Sequence, residues 1–105
     1  MNTTLTYNVE KTATDMLKVS FGAESENDRK VVDAKTQLDA LAEAGELQGE
    51  LIKINGPASL PVAMTIAHAV AHTFGAVACF DPKVGGYIVA IAHGGKYAVG
   101  DVIPA

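Results

Sequence analysis

A single cysteine, Cys79, occurs in the 105 residues, so a disulfide framework is excluded. It stands between Ala78 and Phe80 in an apolar run, where a small buried thiol is expected rather than a nucleophile. Positive charge is also scarce: lysine and arginine number 8 against 12 aspartates and glutamates, a formal net charge of −4. Affinity for duplex DNA without sequence preference comes from many cationic contacts to phosphate, and this balance argues against it. A small phosphate-bearing ligand held by a few placed groups is compatible with it. Met1 to Thr6 offers neither a basic region nor a long apolar run, which predicts no signal peptide and a cytoplasmic protein. The apolar stretch Leu60 to Ala78 is broken by Pro61, His68, His72 and Gly75 and is rich in alanine. It reads as a buried helix followed by a buried strand, and no membrane partner is expected. Repeats, low-complexity tracts and linkers are missing as well, while 49% apolar and 19% charged residues match an ordinary globular chain. One domain over residues 1–105 is expected.

What is present is a legible alternation of periods. Leu5 to Val9 and Met16 to Phe21 alternate apolar and polar side chains around polar Glu10 to Asp15, which predicts a hairpin. Gly22 to Lys30 is polar and charged without an apolar period and reads as a solvated loop. From Val31 or Asp33 to Ala44, the apolar positions Val32, Leu38, Leu41 and Ala42 fall at helical spacing, with Asp33, Lys35, Asp39 and Glu43 opposite and Gly45 as a stop. Leu51 to Ile54 is a short strand. Ser59 is placed to cap a second helix from Leu60 to about His72, with Pro61 in its first turn. Ala76 to Phe80 and Tyr87 to Ile91 are further strands, joined through Asp81, Pro82, Lys83, Val84, Gly85 and Gly86. The predicted order is strand, strand, helix, strand, helix, strand, strand: an α/β fold with helices against a mixed sheet.

Four groups of residues could carry chemistry. The break Asn55-Gly56-Pro57-Ala58-Ser59 lies between a strand and a helix start, where free backbone N–H groups and the helix dipole favour an anion. It lacks the lysine and glycine spacing of a Walker loop. His68 and His72, related by i, i+4, would share one helix face and could chelate a metal. Ala69 follows the first histidine where a zincin needs glutamate, so a metalloprotease helix is excluded. Asp81 and His93 each end an apolar strand. If those two strands pair as antiparallel neighbours, Asp81 and His93 lie at opposite ends of the pair. A single site then needs a less simple pairing or a symmetric oligomer that brings the ends together.

Five stretches taken in order carry a family resemblance. They are Asn55-Gly56-Pro57, then Ile66-Ala67-His68-Ala69-Val70-Ala71-His72, then Phe80-Asp81-Pro82-Lys83-Val84-Gly85-Gly86-Tyr87, then Val89-Ala90-Ile91-Ala92-His93, and finally Tyr97-Ala98-Val99-Gly100-Asp101-Val102-Ile103. Over its last half the chain resembles the small CRISPR-associated ring nucleases of type III systems, which degrade cyclic tetra-adenylate. The resemblance implies a Rossmann-like α/β domain and a homodimer, with dimers pairing around the ligand, and a manganese-dependent phosphodiesterase. It assigns catalytic roles to His72, Asp81, Lys83 and His93. Members of that family often have arginine where this chain has Lys83; lysine keeps the charge but loses bidentate phosphate contact.

The function expected on this basis is a phosphodiesterase that linearises cyclic tetra-adenylate and so switches off an antiviral signal. Mn²⁺ would be drawn to His72, Asp81 and His93, with Asp81 and one histidine holding the ion or its bound water and the other histidine serving as general acid or base. Lys83 would neutralise phosphate charge, and Asn55, Gly56, Pro57 and Ser59, with His68 on the helix, would bind the ligand. The rivals are a binding or sensing module that leaves the cyclic nucleotide intact, an interaction domain with structural histidines, and a 3′ RNA exonuclease using the same metal chemistry. Against the last of these stands the acidic charge.

Overall fold

Two strands of period two open the computed structural model, which describes residues 4–105; the expectation drawn from Met1 to Thr6 falls partly outside them. Strand β1 (Tyr7–Ala13) and strand β2 (Met16–Phe21) form the predicted hairpin. They are followed by helix α1 (Asn27–Glu43), strand β3 (Gly49–Asn55), helix α2 (Leu60–Val70), strand β4 (Phe74–Asp81), strand β5 (Gly86–Ala92) and strand β6 (Val102–Pro104). The six strands make one sheet in consecutive order. β2, β3 and β4 are mutually parallel, and the remaining neighbours are antiparallel. This is the expected α/β fold with a mixed sheet, in the expected order plus a terminal strand.

Its likeness to a Rossmann fold is loose. The crossovers β2–α1–β3 and β3–α2–β4 advance in the same direction, and crossovers of one hand then put both helices on one face, where α1 and α2 pack against each other. The main core lies between them and the sheet: Tyr7, Leu17, Val19, Leu38, Ile52, Ile66, Val70 and Phe74 are all 2% exposed or less. A smaller cluster of Ala76, Ala78, Tyr87 and Val89 lies on the other face, covered by Tyr97 and Ile103. No helix of the described residues is long and apolar enough to cross a membrane.

Several local expectations are corrected. Helix α1 begins at Asn27, inside the stretch read as loop. Residues 27–29 are exposed, so that first turn carries no apolar period, although its sequence is helix-competent. The buried stripe of α1 is Val31, Ala34, Leu38 and Leu41, while Val32 is 61% exposed on the outer side. Asp33, expected among the solvated positions, accepts hydrogen bonds from Thr6 N–H (2.8 Å) and Oγ–H (2.7 Å). These bonds hold its carboxyl below the usual range. Gln37 adds a donor to Tyr7 O (2.8 Å) and an acceptor for Val9 N–H (2.9 Å). Helix α1 thereby satisfies backbone groups of edge strand β1 that would otherwise invite pairing with another chain. Most of the polar segment expected between the first strands belongs to β1, whose second half faces solvent.

Helix α2 ends at Val70, so His72 lies in the turn beyond it and shares no helix face with His68. Cys79, expected as a buried thiol, is exposed. It lines a cleft of about 250 Å³ beside Ala63 and Ala67 of α2, where short alanine side chains leave the sheet uncovered. Desolvation within this cleft still pushes its thiol pKa up, which disfavours the thiolate.

Candidate functional site

The local sequence builds two clusters, at opposite ends of β4. At its beginning, the turn after α2 presents His72, and the chain leaving β5 presents His93, both exposed. Antiparallel pairing sets Ala76 opposite Ala92, and His93 N–H donates to Gly75 O (2.9 Å). The two imidazoles are thus brought side by side, with ring centres 5.4 Å apart and planes tilted by 32°. His93 Nε2 contacts the carbonyl of Ala71, the last cap of α2. A carbonyl only accepts, so Nε2 carries the proton, and in the neutral ring Nδ1 keeps its lone pair. Ligating histidines commonly have one ring N–H given to a carbonyl in this way.

At the other end, where β3 and β4 finish, lie residues 55–59 and 81–83. Gly56 has φ 135°, and a Cβ there would fall 1.8 Å from Val19 O, so only glycine fits. Tyr7, at the start of β1, donates its hydroxyl to Pro57 O (2.6 Å). Burial pushes its pKa up to about 12. Ser59 occupies the N-cap position of α2 as expected, but among the described residues its side chain makes no capping bond and its buried Oγ has no partner. Asp81, the last residue of β4, starts a turn: its Oδ1 accepts Lys83 N–H (2.8 Å) and its carbonyl accepts Gly85 N–H (3.0 Å). Its second carboxylate oxygen is not used in that turn. Lys83 is exposed. His68 belongs to neither end; it opens on a groove between α1 and α2 with Val31, Lys35, Asp39 and Met64.

One chain therefore joins His72 to His93, and joins residues 55–59 to Asp81 and Lys83, but does not join the two groups. Among the described residues, no three histidine, cysteine, aspartate or glutamate side chains gather closely enough to hold a metal ion. Sequence alone does not reveal the role of Tyr7; nothing in its alternating strand distinguishes an anchoring hydroxyl from an ordinary core aromatic.

Fold and clusters together define a small α/β protein with polar groups concentrated at both ends of a parallel strand set, of which the carboxyl end, holding residues 55–59 and Asp81, is the one where such sheets carry ligands. A family model described as CRISPR-associated protein (Cas_csx3) matches residues 28–104, and the chain belongs to that family. The match runs from α1 to β6 and so includes both ends. Comparisons with curated proteins and with solved structures find no match.

Proposed function

We propose that the chain is a manganese-dependent phosphodiesterase that opens cyclic tetra-adenylate, with a homodimer pairing with another dimer around the ligand. The observation that carries this reading is the imidazole pair of His72 and His93. Two imidazoles with ring centres 5.4 Å apart can act on one phosphate, one by holding a divalent ion and the other by moving a proton. The pair is a half-site, and the carboxylate it lacks would be Asp81 of the partner subunit, at the other end of the fold.

In this reading His93, its ring fixed on the Ala71 carbonyl, and Asp81 would hold Mn²⁺, leaving His72 to move protons. When bound, the ion would stabilise charge building on the phosphate oxygens. The attacking oxygen gives up its proton as it bonds to phosphorus, and one P–O bond of the cyclic backbone breaks. His72 takes that proton and can return one to the leaving oxygen, as a general acid–base imidazole does. Lys83 offsets phosphate charge. The turn at 55–59 presents backbone N–H groups at the start of α2, where a phosphate is favoured.

Incubation of the purified chain with labelled cyclic tetra-adenylate and Mn²⁺ tests the proposal. Linear product that disappears with chelator is expected, and an intact ligand at micromolar protein contradicts it. The second reading, binding without cleavage, draws on Asp81 being engaged in its own turn. It predicts heat of binding in calorimetry with all ligand recovered as the cyclic form.

A further inference from the structure

Beside the turn at 55–59, the sheet face without helices carries a row of side chains set by register. Lys18 is opposite Asn55, and Phe80 is opposite Tyr87. Because Ile54 is opposite Cys79, the next residues, Asn55 and Phe80, are neighbours too. Alternation puts all four on one face, since Ile54 lies in the helix-side core while Tyr87 belongs to the cluster on the opposite face. Strands are spaced about 4.8 Å apart, so the row is a ribbon of lysine, carboxamide and two aromatic rings across four strands.

Phe80 is the anomaly in the row. It is 36% exposed, against 4% for Tyr87. Tyr87 meets it edge to face, at 5.3 Å and 63°, which uses only part of the ring. Tyr87 is itself supported from behind: its hydroxyl reaches Met16 Sδ (3.8 Å), and Lys53 Nζ lies 5.4 Å from its ring centre. A rigidly backed, open aromatic ring on a sheet face is the platform on which single-stranded nucleobases stack. Asn55, beside it, has the donor and acceptor pair that matches N6 and N7 of adenine. Lys18 in the row and Lys83 just past Phe80 supply positive charge on an acidic chain.

We infer that Phe80 is a base-stacking residue and Asn55 a reader of the base edge, together selecting an adenine of the cyclic nucleotide whose phosphate lies toward Asp81 and Lys83. This rests on the function proposed above and assigns it a specificity element. The occupant is a purine base because the ribbon is continuous with the phosphate-facing turn and carries cations rather than a broad apolar patch.

The test uses the full chain and cyclic tetra-adenylate carrying one 2-aminopurine, whose fluorescence is quenched on stacking. Wild-type protein should quench it. Phe80→Ala and Phe80→Leu should lose the quench and weaken KM about tenfold or more, with kcat changed less than about twofold, and Phe80→Trp should restore both. Phe80→Leu keeps an apolar side chain, so it reads the ring itself even if the alanine variant unfolds. Replacing adenine by hypoxanthine should weaken wild-type binding about tenfold, and Asn55→Ala should erase that preference. If the wild type binds and cleaves while Phe80→Leu matches it in quench and KM, the stacking role is overturned and the phosphodiesterase stands. If the wild type neither binds nor cleaves, both fall.

Discussion

The two ends of β4 are built by different means. The far end is fixed by backbone: Gly56 is wedged against Val19 O, and Tyr7 clamps the Pro57 carbonyl. Asp81 is tied into a tight turn. The near end depends on side chains: two exposed imidazoles aligned by β4–β5 pairing and by one contact to the end of α2. The eight residues of β4, at about 3.3 Å per residue, separate the ends by about 23 Å. A turn shaped by backbone at one end and a pair of exposed imidazoles at the other are too far apart within one chain to act on the same atom. The proposed site therefore requires the two ends to meet between copies of the chain.

Variants that strike one end and spare the other sharpen this contrast. The largest effect is expected at the histidine end: His93→Ala should cut cleavage of cyclic tetra-adenylate at least about a hundredfold with the melting temperature unchanged, because His93 is exposed. A similar loss of stability and activity together would show the imidazole to be structural. At the far end, Gly56→Ala should destabilise the fold by about 3 kcal/mol or more, since the residue's φ and the Val19 carbonyl both exclude a Cβ; denaturant unfolding measures this. Tyr7→Phe leaves the Pro57 carbonyl without its donor and should cost about 1–2 kcal/mol, while raising KM more than it lowers kcat.

The smallest effects appear in pH dependence. Asp33 has a lowered pKa because Thr6 donates two hydrogen bonds to it. Its contribution is complete above the unfolded carboxylate pKa and disappears as pH falls through the folded value. Asp33→Asn should therefore flatten the acid limb of a stability profile. Tyr7 behaves oppositely: with a pKa pushed up to about 12 from 10.0, stability should fall as pH rises between those values, and Tyr7→Phe should remove that alkaline slope.

Much of this geometry was legible from residue patterns. Met16–Phe21 alternates cleanly and forms β2 with those bounds, and Ser59 followed by Pro61 marks the start of α2. The opposition of Asp81 and His93 followed from antiparallel pairing, which β4 and β5 adopt. The illegible parts depend on tertiary contact. The first turn of α1 faces water and so carries no apolar period. Cys79 looked buried because it interrupts an apolar strand, yet its exposure depends on how far α2 reaches across the sheet. The three-residue β6 is too short for alternation to announce it. Tyr7 OH finds Pro57 across fifty positions of sequence, a pairing no local pattern encodes.

A site completed between subunits is tested most directly by mixing inactive variants. His93→Ala and Asp81→Ala should each be inactive on cyclic tetra-adenylate with Mn²⁺. A one-to-one mixture, allowed to exchange subunits, should regain a substantial fraction of wild-type cleavage, because some interfaces then pair an intact histidine end with an intact Asp81 end. A mixture as inactive as its components, despite verified exchange, would contradict it.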